Sequence, residues 1–317
     1  MKSFLQLIKS RWNLTIKLIL VFIFLISLPG VNYFNQLDLV KLKPILHSTD
    51  FQLPPPADYP VIQTKAPAPY LSAQGAVVID ADSKTIIFAK NPDQWLLPAS
   101  TTKIMTALVA LDNYSLDDVV TVGEIITEPV KMNLFPGEKI TVNNLLYGLL
   151  VGSANDAALA LATHFPQDEV GFVKAMNQKA ADLNLSNTQY TNPIGLDNYG
   201  QYTTVHDLSL LTAAAMNQPV FRSIVNTLKY TVTDVDKTKI HELENLNQLL
   251  GQIPGLVGVK TGYTDLAGEC LVTFVTRNNR SIITVVLGSA DRFGESQRLI
   301  DWVFTNFAWQ SLPPTTR

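Results

Sequence analysis

The sequence predicts a mixed α/β (α+β) domain in which strands from both ends of the folded region form one antiparallel sheet. Three observations support this fold class. Two strand-like apolar runs follow Gly75, several amphipathic runs with helical spacing fill the middle to about Asn226, and strand-like runs return in the last third. Strands at both ends with a mainly helical middle are typical of helices packed on a single antiparallel sheet.

The first 34 residues have the pattern of a membrane-targeting segment. Basic residues up to Lys17 precede an apolar run from Leu18 to Leu28, so the chain should begin on the cytoplasmic side of a membrane. The stretch 14–31 is about long enough to span a bilayer, and its exit lacks a small-x-small cleavage site. We therefore predict a retained N-terminal anchor over 1–34, with a cleaved signal peptide as the alternative.

Residues 35–72 are predicted to be a Pro-rich linker, and residues 73–312 the folded domain. Prolines disfavour helix interiors and central strands. They stand at positions 44, 54, 55, 56, 60, 67 and 69 of this stretch. The stretch should therefore space the domain from the membrane.

The domain should open with a β-hairpin and one helix. Ala76–Asp80 and Thr85–Ala89 are apolar runs joined by a polar turn, which is typical of a hairpin. After Pro98, apolar residues with helical spacing predict a helix; they are Ile104, Ala107, Leu108 and Leu111.

The remaining elements are predicted in the same way. Four helices fill the middle: Val142–Val151, Asp156–His164, Gly171–Leu183 and His206–Met216. Three strands follow: Val259–Thr261, Leu271–Thr276 and Ile282–Leu287. An amphipathic helix from about Ser296 to Phe307 should close the domain.

Composition excludes several functions. The formal net charge of -3 and the absence of a basic stripe argue against nucleic-acid binding. The single cysteine, Cys270, cannot form an intramolecular disulfide. The four histidines are far apart and show no metal-ligand spacing, so no metal or organic cofactor is implied.

Three short motifs occur in a fixed order: Ser100-Thr101-Thr102-Lys103, Ser153-Ala154-Asn155 and Lys260-Thr261-Gly262. An S-x-x-K, an S-x-N and a K-T-G motif together mark the active-site-serine enzymes that react with penicillin. Each motif alone is weak evidence because its residue types are common. Their joint occurrence in this order is strong evidence.

The first motif suits nucleophilic catalysis. Positions i and i+3 share a helix face, so Ser100 and Lys103 can lie side by side, and backbone N–H groups at a helix start favour an oxyanion. The serine needs a base, and Lys103 can accept a proton only when neutral. Burial and a second cation, for which Lys260 is the candidate, would lower its pKa. The alternative is an ordinary polar first turn.

The other two motifs suit proton transfer and substrate binding. Ser153 could pass a proton to the leaving amine while Asn155 binds a substrate amide; alternatively both are helix-capping residues. Lys260 and Thr261 could bind a carboxylate on a substrate lying along the strand; alternatively the lysine only protects an edge strand.

From about Gly75 to Phe307 the chain resembles the D-alanyl-D-alanine carboxypeptidases, the low-molecular-weight penicillin-binding proteins. The resemblance rests on the three motifs and on the segments Asp80–Lys84, Pro98–Thr106, Asn192–Asp197 and Lys260–Thr264. It implies a β-lactamase/transpeptidase-like fold, D-Ala-D-Ala stem peptides of peptidoglycan as substrate and β-lactams as inhibitors. It also implies an extracytoplasmic location at the bacterial membrane.

The resemblance also implies the residue roles. Ser100 would be the acylated nucleophile, Lys103 its base, and Ser153 with Asn155 the second element. Lys260 and Thr261 would bind the terminal carboxylate, next to Gly262, and the N–H groups of Ser100 and Tyr263 would form the oxyanion hole. Arg292 falls where the family often has an arginine that assists carboxylate binding.

We therefore predict a serine-type D-Ala-D-Ala carboxypeptidase and keep three alternatives. A D,D-endopeptidase of wall cross-links would use the same residues. A serine β-lactamase of class A would need a glutamate after the S-x-N motif, whereas the superficially similar stretch from Glu128 to Asn133 precedes Ser153. A non-catalytic wall-binding homologue would not need every catalytic residue type, and all are present here.

Overall fold

The computed structural model describes residues 18, 19, 23, 58–124 and 130–311. The chain divides into two units, 1–54 and 55–317, and the second unit is described below. The predicted N-terminal anchor lies outside the described residues except at three positions, and so does most of the predicted linker. Within the described ranges, none of the helices combines the length and apolar character needed to traverse a bilayer.

One five-stranded antiparallel sheet forms the centre of the domain. Its strands are β2 (Gly75–Asp80), β3 (Ile86–Lys90), β8 (Leu256–Thr264), β9 (Gly268–Arg277) and β10 (Arg280–Ser289), and they lie in the order β3-β2-β10-β9-β8. Strand β2, from the N-terminal part, pairs with β10, from the C-terminal part, through partners such as Val78 and Thr284. This arrangement confirms the predicted fold class.

Helices fill the middle of the domain as predicted. Their bounds are α1 (Lys103–Asn113), α2 (Val142–Leu150), α3 (Asn155–Thr163), α4 (Asp168–Asp182), α5 (Val205–Met216), α6 (Pro219–Val225) and the closing α7 (Arg292–Asn306). Helix α7 begins four residues earlier than predicted because Asp291 caps it, accepting a hydrogen bond from the Gly294 N–H. The short helix α6 was not predicted.

Three pairs of short strands lie outside the main sheet: β4 (Val119–Thr121) with β5 (Lys139–Thr141), β6 (Lys229–Thr233) with β7 (Ile240–Glu244), and β1 (Tyr59–Ile62) with β11 (Phe307–Gln310). None of these six strands was predicted. Strand β1 falls within the predicted linker and contains Pro60, which pairs with Trp309 in a sheet of only two strands. Such a sheet tolerates the missing proline N–H group.

The core lies on both faces of the main sheet. Successive side chains of a strand point to opposite faces, so Val77 and Ile79 of β2 pack with the helical middle while Ala76 and Val78 pack with α7. Full burial of an aliphatic side chain of valine size or larger contributes roughly 1.5–3 kcal/mol. A sheet covered on both faces explains why every residue of β2 is buried.

Strand β8 is the edge of the main sheet, and its outer side packs against the turn Ala99–Thr102, which leads into α1. The K-T-G motif lies on β8, and the S-x-x-K motif lies where α1 begins. The fold therefore brings the first and third motifs together along one sheet edge.

Candidate active site

Ser100 lies in a single turn of 3-10 helix, Ala99–Thr102, which leads directly into α1. The turn begins with Ala99 at φ +46°, an uncommon backbone conformation for a residue with a side chain. Ser100 is half-buried and Lys103, at the start of α1, is completely buried. The start of the helix therefore leaves Ser100 accessible to solvent and buries Lys103 in the interior.

The amine of Lys103 has three oxygen atoms within hydrogen-bond distance. They are Ser100 Oγ at 2.9 Å, Asn155 Oδ1 at 2.7 Å and the carbonyl oxygen of Ile194 at 2.7 Å. A neutral amine has two N–H donors and one lone pair. It can donate to Asn155 and Ile194 and accept the hydroxyl proton of Ser100 at the same time. The surroundings of Nζ therefore suit a neutral base with its lone pair directed at the serine.

Burial lowers the pKa of Lys103 well below its ordinary value of 10.5, and the positive charge of Lys260 lowers it further. The carboxylate of Asp156 raises the same pKa. Desolvation dominates because a charged amine loses its hydration in the interior. Burial and a second cation, the two conditions expected from the sequence, are therefore both present.

Ser153 and Lys260 form a second hydroxyl–amine pair. Lys260 Nζ lies 2.8 Å from Ser153 Oγ and donates to the carbonyl oxygen of Thr261 at 3.0 Å. Ser153 has φ +57°, a left-handed conformation that costs about 1 kcal/mol or more for a residue other than glycine. Burial, together with the charge of Arg292, lowers the pKa of Lys260 to about 7.

Asn155 is the first residue of α3, and its side chain is directed at Lys103. The capping alternative for this motif does not describe the structure, because Ala154 holds the N-cap position and no side chain caps the helix there. The S-x-N motif therefore contributes one polar group to each lysine, Ser153 to Lys260 and Asn155 to Lys103.

Two glycines let the backbone approach Ser100 closely. A Cβ atom on Gly262 of β8 would lie 3.0 Å from the backbone nitrogen of Ser100. A Cβ atom on Gly195, which has φ +88°, would lie 2.0 Å from the carbonyl oxygen of Ala99. Any larger residue would separate the strand or the loop from the nucleophile.

Arg292 begins α7 and contacts the K-T-G strand. Its Nη1 donates to the carbonyl oxygen of Gly262 at 2.7 Å, and its backbone N–H donates to Glu269 Oε2 at 2.9 Å. Lys260 and Thr261 are buried in β8, whereas the Tyr263 side chain is exposed and its hydroxyl donates to Asp265. Arg292 of α7 therefore places a second cation beside β8, the strand that carries Lys260.

All residues singled out in the three motifs, and Arg292, lie in one connected region. Sequence reasoning missed the carbonyl of Ile194, which is the third partner of Lys103. A signal existed in the segment Asn192–Asp197, where Pro193 and Gly195 mark a turn of special geometry. A backbone oxygen, however, leaves no trace in residue identity.

The region holds two buried amines, each beside a serine hydroxyl, on a strand edge with an adjacent arginine. One amine can take a proton from Ser100, and the other can exchange a proton with Ser153. The arginine and Lys260 favour a substrate anion, and the edge strand can pair with an extended peptide. This combination suits acyl transfer at a peptide bond close to a free carboxylate.

Comparisons with known proteins agree with this chemistry. A family model described as "D-alanyl-D-alanine carboxypeptidase" matches residues 62–291. The D-alanyl-D-alanine carboxypeptidase DacF of Bacillus subtilis is 34% identical over an alignment of 246 residues, and the match covers 74% of this chain and 63% of the relative. The chain thus spans less than two thirds of that relative's length.

Two further relatives have different names. The D-alanyl-D-alanine endopeptidase of Pseudomonas aeruginosa is 33% identical, and the match covers 80% of this chain and 82% of the relative. The crystal structure of the Streptomyces K15 DD-transpeptidase is similar with a TM-score of 0.72 and 33% identity, covering 76% of this chain and all of that one. The likeness therefore extends over nearly all the described part of the chain.

Proposed function

Because the chain belongs to the D-alanyl-D-alanine carboxypeptidase family, we propose that it is a serine-type D-Ala-D-Ala carboxypeptidase that trims peptidoglycan stem peptides. The observation that carries this proposal is the distance of 2.9 Å between Nζ of the buried Lys103 and Oγ of the half-buried Ser100. The family is penicillin-sensitive, so β-lactams are expected to acylate the same serine.

The first half-reaction forms an ester on Ser100. Neutral Lys103 accepts the hydroxyl proton while Oγ attacks the carbonyl carbon of the penultimate D-alanine. The N–H groups of Ser100 and Tyr263 stabilise the oxyanion that develops. The protonated lysine donates its three N–H groups to the oxygens that already surround it.

The leaving D-alanine needs a proton on its nitrogen and a partner for its carboxylate. Ser153 Oγ supplies the proton and is replenished from Lys260, whose pKa of about 7 allows proton exchange near neutral pH. Thr261 and Arg292 bind the carboxylate, and Asn155 binds the amide of the acyl part. Water then attacks the ester and gives a proton to Ser153 and so to neutral Lys260, while Lys103 returns its proton to Ser100 Oγ as the shortened stem leaves.

A fluorescent penicillin tests the nucleophile. The wild type should become covalently labelled, Ser100→Ala should remain unlabelled, and Ser186→Ala, which changes an exposed serine, should label like the wild type. Released D-alanine from diacetyl-Lys-D-Ala-D-Ala should follow the same pattern. Equal labelling of wild type and Ser100→Ala would exclude Ser100 as the nucleophile.

A D,D-endopeptidase activity is the second candidate, because relatives with that name match the chain over a similar span. An endopeptidase must accept a chain that continues where a carboxypeptidase binds a carboxylate. The cations Lys260 and Arg292 favour the carboxylate. Mass spectrometry of a peptidoglycan digest separates the two: loss of one alanine from pentapeptide stems supports the carboxypeptidase, and severed cross-linked dimers support the endopeptidase.

We further propose that the enzyme acts at the extracytoplasmic face of the bacterial cell membrane. The basic and apolar pattern of residues 1–34 would anchor it there, and residues 35–72 would act as the linker. Membrane fractionation of the full chain and of a variant lacking residues 1–34 tests this, since only the full chain should sediment with the membrane.

A further inference from the structure

A buried histidine–glutamate pair lies on one side of the S-x-N motif. His241 Nε2 is 2.7 Å from Glu138 Oε1, and the two side chains are only 3% and 1% exposed. His241 lies on β7, and Glu138 directly precedes β5. A buried ionisable pair that the proposed chemistry does not use calls for another explanation.

The oxygen atoms around His241 define how many protons the pair holds. Nδ1 lies 2.9 Å from the carbonyl oxygen of Met132, which can only accept, so Nδ1 carries a proton. The contact between Nε2 and Glu138 Oε1 requires a second proton, which lies either on the ring nitrogen or on the carboxyl oxygen. The pair therefore contains two protons and has no net charge. Loss of either partner would leave a buried polar atom without its hydrogen bond.

The pair fixes the backbone of residues 130–135, hereafter the 130–135 segment. His241 holds the carbonyl oxygen of Met132, and Glu138 Oε2 accepts from the N–H of Phe135 at 3.0 Å. The two oxygens of Asp156 accept from the N–H groups of Met132 and Leu134, both at 3.0 Å. The segment is thus held on one side by the pair and on the other by α3.

The contacts to α3 connect this segment to Lys103. The N–H of Asn155 donates to the carbonyl oxygen of Val130 at 2.8 Å. The side chain of the same asparagine accepts from Lys103 at 2.7 Å, and the Asp156 carboxylate raises the pKa of Lys103. A displacement of the segment therefore moves the two residues that set the position and charge of the base.

We propose that His241 and Glu138 are positioning residues for the acylation of Ser100, acting through the 130–135 segment on Asn155 and Lys103. The inference rests on the proposed function of the site. Lys260, Thr261 and Arg292 lie on β8 and α7, which the segment's hydrogen bonds do not involve. Carboxylate binding should therefore be independent of the pair.

Three variants test the proposal. His241→Phe and Glu138→Ala remove the pair, whereas Glu138→Gln preserves its shape. The amide that Glu138→Gln introduces can donate to His241 Nε2, and its oxygen can still accept from Phe135, so every hydrogen bond of the segment persists without a charge. Asp234→Asn is the matched control, because Asp234 holds the turn between β6 and β7 through Thr238 and Lys239 and does not contact the segment.

The readout separates the rate of acylation from binding. The limiting rate constant and the half-saturation concentration for D-alanine release are measured, with melting temperature and fluorescent-penicillin labelling. Displacing a base by a fraction of an ångström to 1 Å slows a reaction by about 10- to 100-fold. His241→Phe and Glu138→Ala should lose about that factor in rate with half-saturation changed less than about 2-fold.

Glu138→Gln decides the outcome even where the larger changes impair folding. Retention of the rate within about 3-fold, the size of one weakened neutral hydrogen bond, supports positioning through hydrogen bonds. A loss equal to that of Glu138→Ala overturns the proposal, as does an equal loss in Asp234→Asn. If the wild type itself neither labels nor releases D-alanine, the proposed function has failed. If the wild type is active and the pair variants match it, only the inference has failed.

Discussion

Replacing Lys260 by methionine should stabilise the protein at acidic pH while it inactivates the site. Burial and Arg292 lower the pKa of this amine from 10.5 to about 7. Below pH 7 the amine is charged in both the folded and the unfolded chain, and the folded state bears the full cost of about 5 kcal/mol. Above pH 7 the folded amine is neutral, so the cost falls by about 1.4 kcal/mol per pH unit and vanishes near the unfolded value.

The Lys260→Met variant lacks this cost but also loses the hydrogen bonds to Ser153 and Thr261, together about 2–3 kcal/mol. The free energy of unfolding should therefore rise by about 2 kcal/mol at pH 6, which corresponds to a rise in melting temperature of about 4–8 °C for a domain of this size. The gain should disappear near pH 9. Removal of the Lys260 charge also removes its repulsion of the Lys103 amine, which stabilises the variant further.

Denaturant unfolding of wild type and variant from pH 6 to 9.5 measures this difference. Lys229→Met serves as the control because that lysine is exposed, at 74% of its side chain, and its replacement should give a difference that does not vary with pH. If the difference in unfolding free energy between wild type and Lys260→Met stays constant across the same pH range, the pKa of the buried amine is not lowered and the prediction is refuted. D-alanine release should be lost in this variant at every pH.

Four further predictions concern single residues of the site. Gly262→Ala should slow acylation about 10-fold, because the new Cβ would displace the strand from Ser100 by a few tenths of an ångström. Gly195→Ala should instead lower the melting temperature by several degrees, because its Cβ would meet a carbonyl oxygen. Ser153→Gly should change the free energy of unfolding by less than about 1 kcal/mol in denaturant unfolding, because relief of the left-handed conformation offsets the lost hydrogen bond to Lys260, yet turnover should fall with the hydroxyl gone. Arg292→Leu should raise the half-saturation concentration for a peptide with a free carboxylate about 10-fold or more, and should leave that for an amidated peptide unchanged. Competition of each peptide with penicillin labelling measures both values.

The strongly periodic elements could be predicted from sequence because local apolar patterns specify them. Helices α2, α3 and α5 match their predicted ranges to within one residue at each end, and β2 with β3 forms the predicted hairpin. The short strand pairs were missed for a physical reason. Strands of three to five residues such as β4, β6 and β11 have little pattern of their own and form because a partner lies opposite them.

The candidate site divides in the same way. Residue types and the i, i+3 spacing of Ser100 and Lys103 could be read from the sequence. The Ile194 carbonyl and the pair of His241 with Glu138 could not. Their roles depend on backbone position and on contacts across 91 and 103 residues of chain, respectively.

The amino-acid sequence by itself determined which chemical groups the site contains: three hydroxyls, two amines, an amide and a guanidinium, in an order typical of one family. Only the tertiary structure decided that these groups can react. Lys103 and Asn155 are 52 residues apart and Lys260 and Ser153 are 107 apart, yet both pairs are in hydrogen-bond contact. An amine becomes a base near neutral pH when the folded interior removes its water and brings a second cation close, and neither condition exists in the unfolded chain.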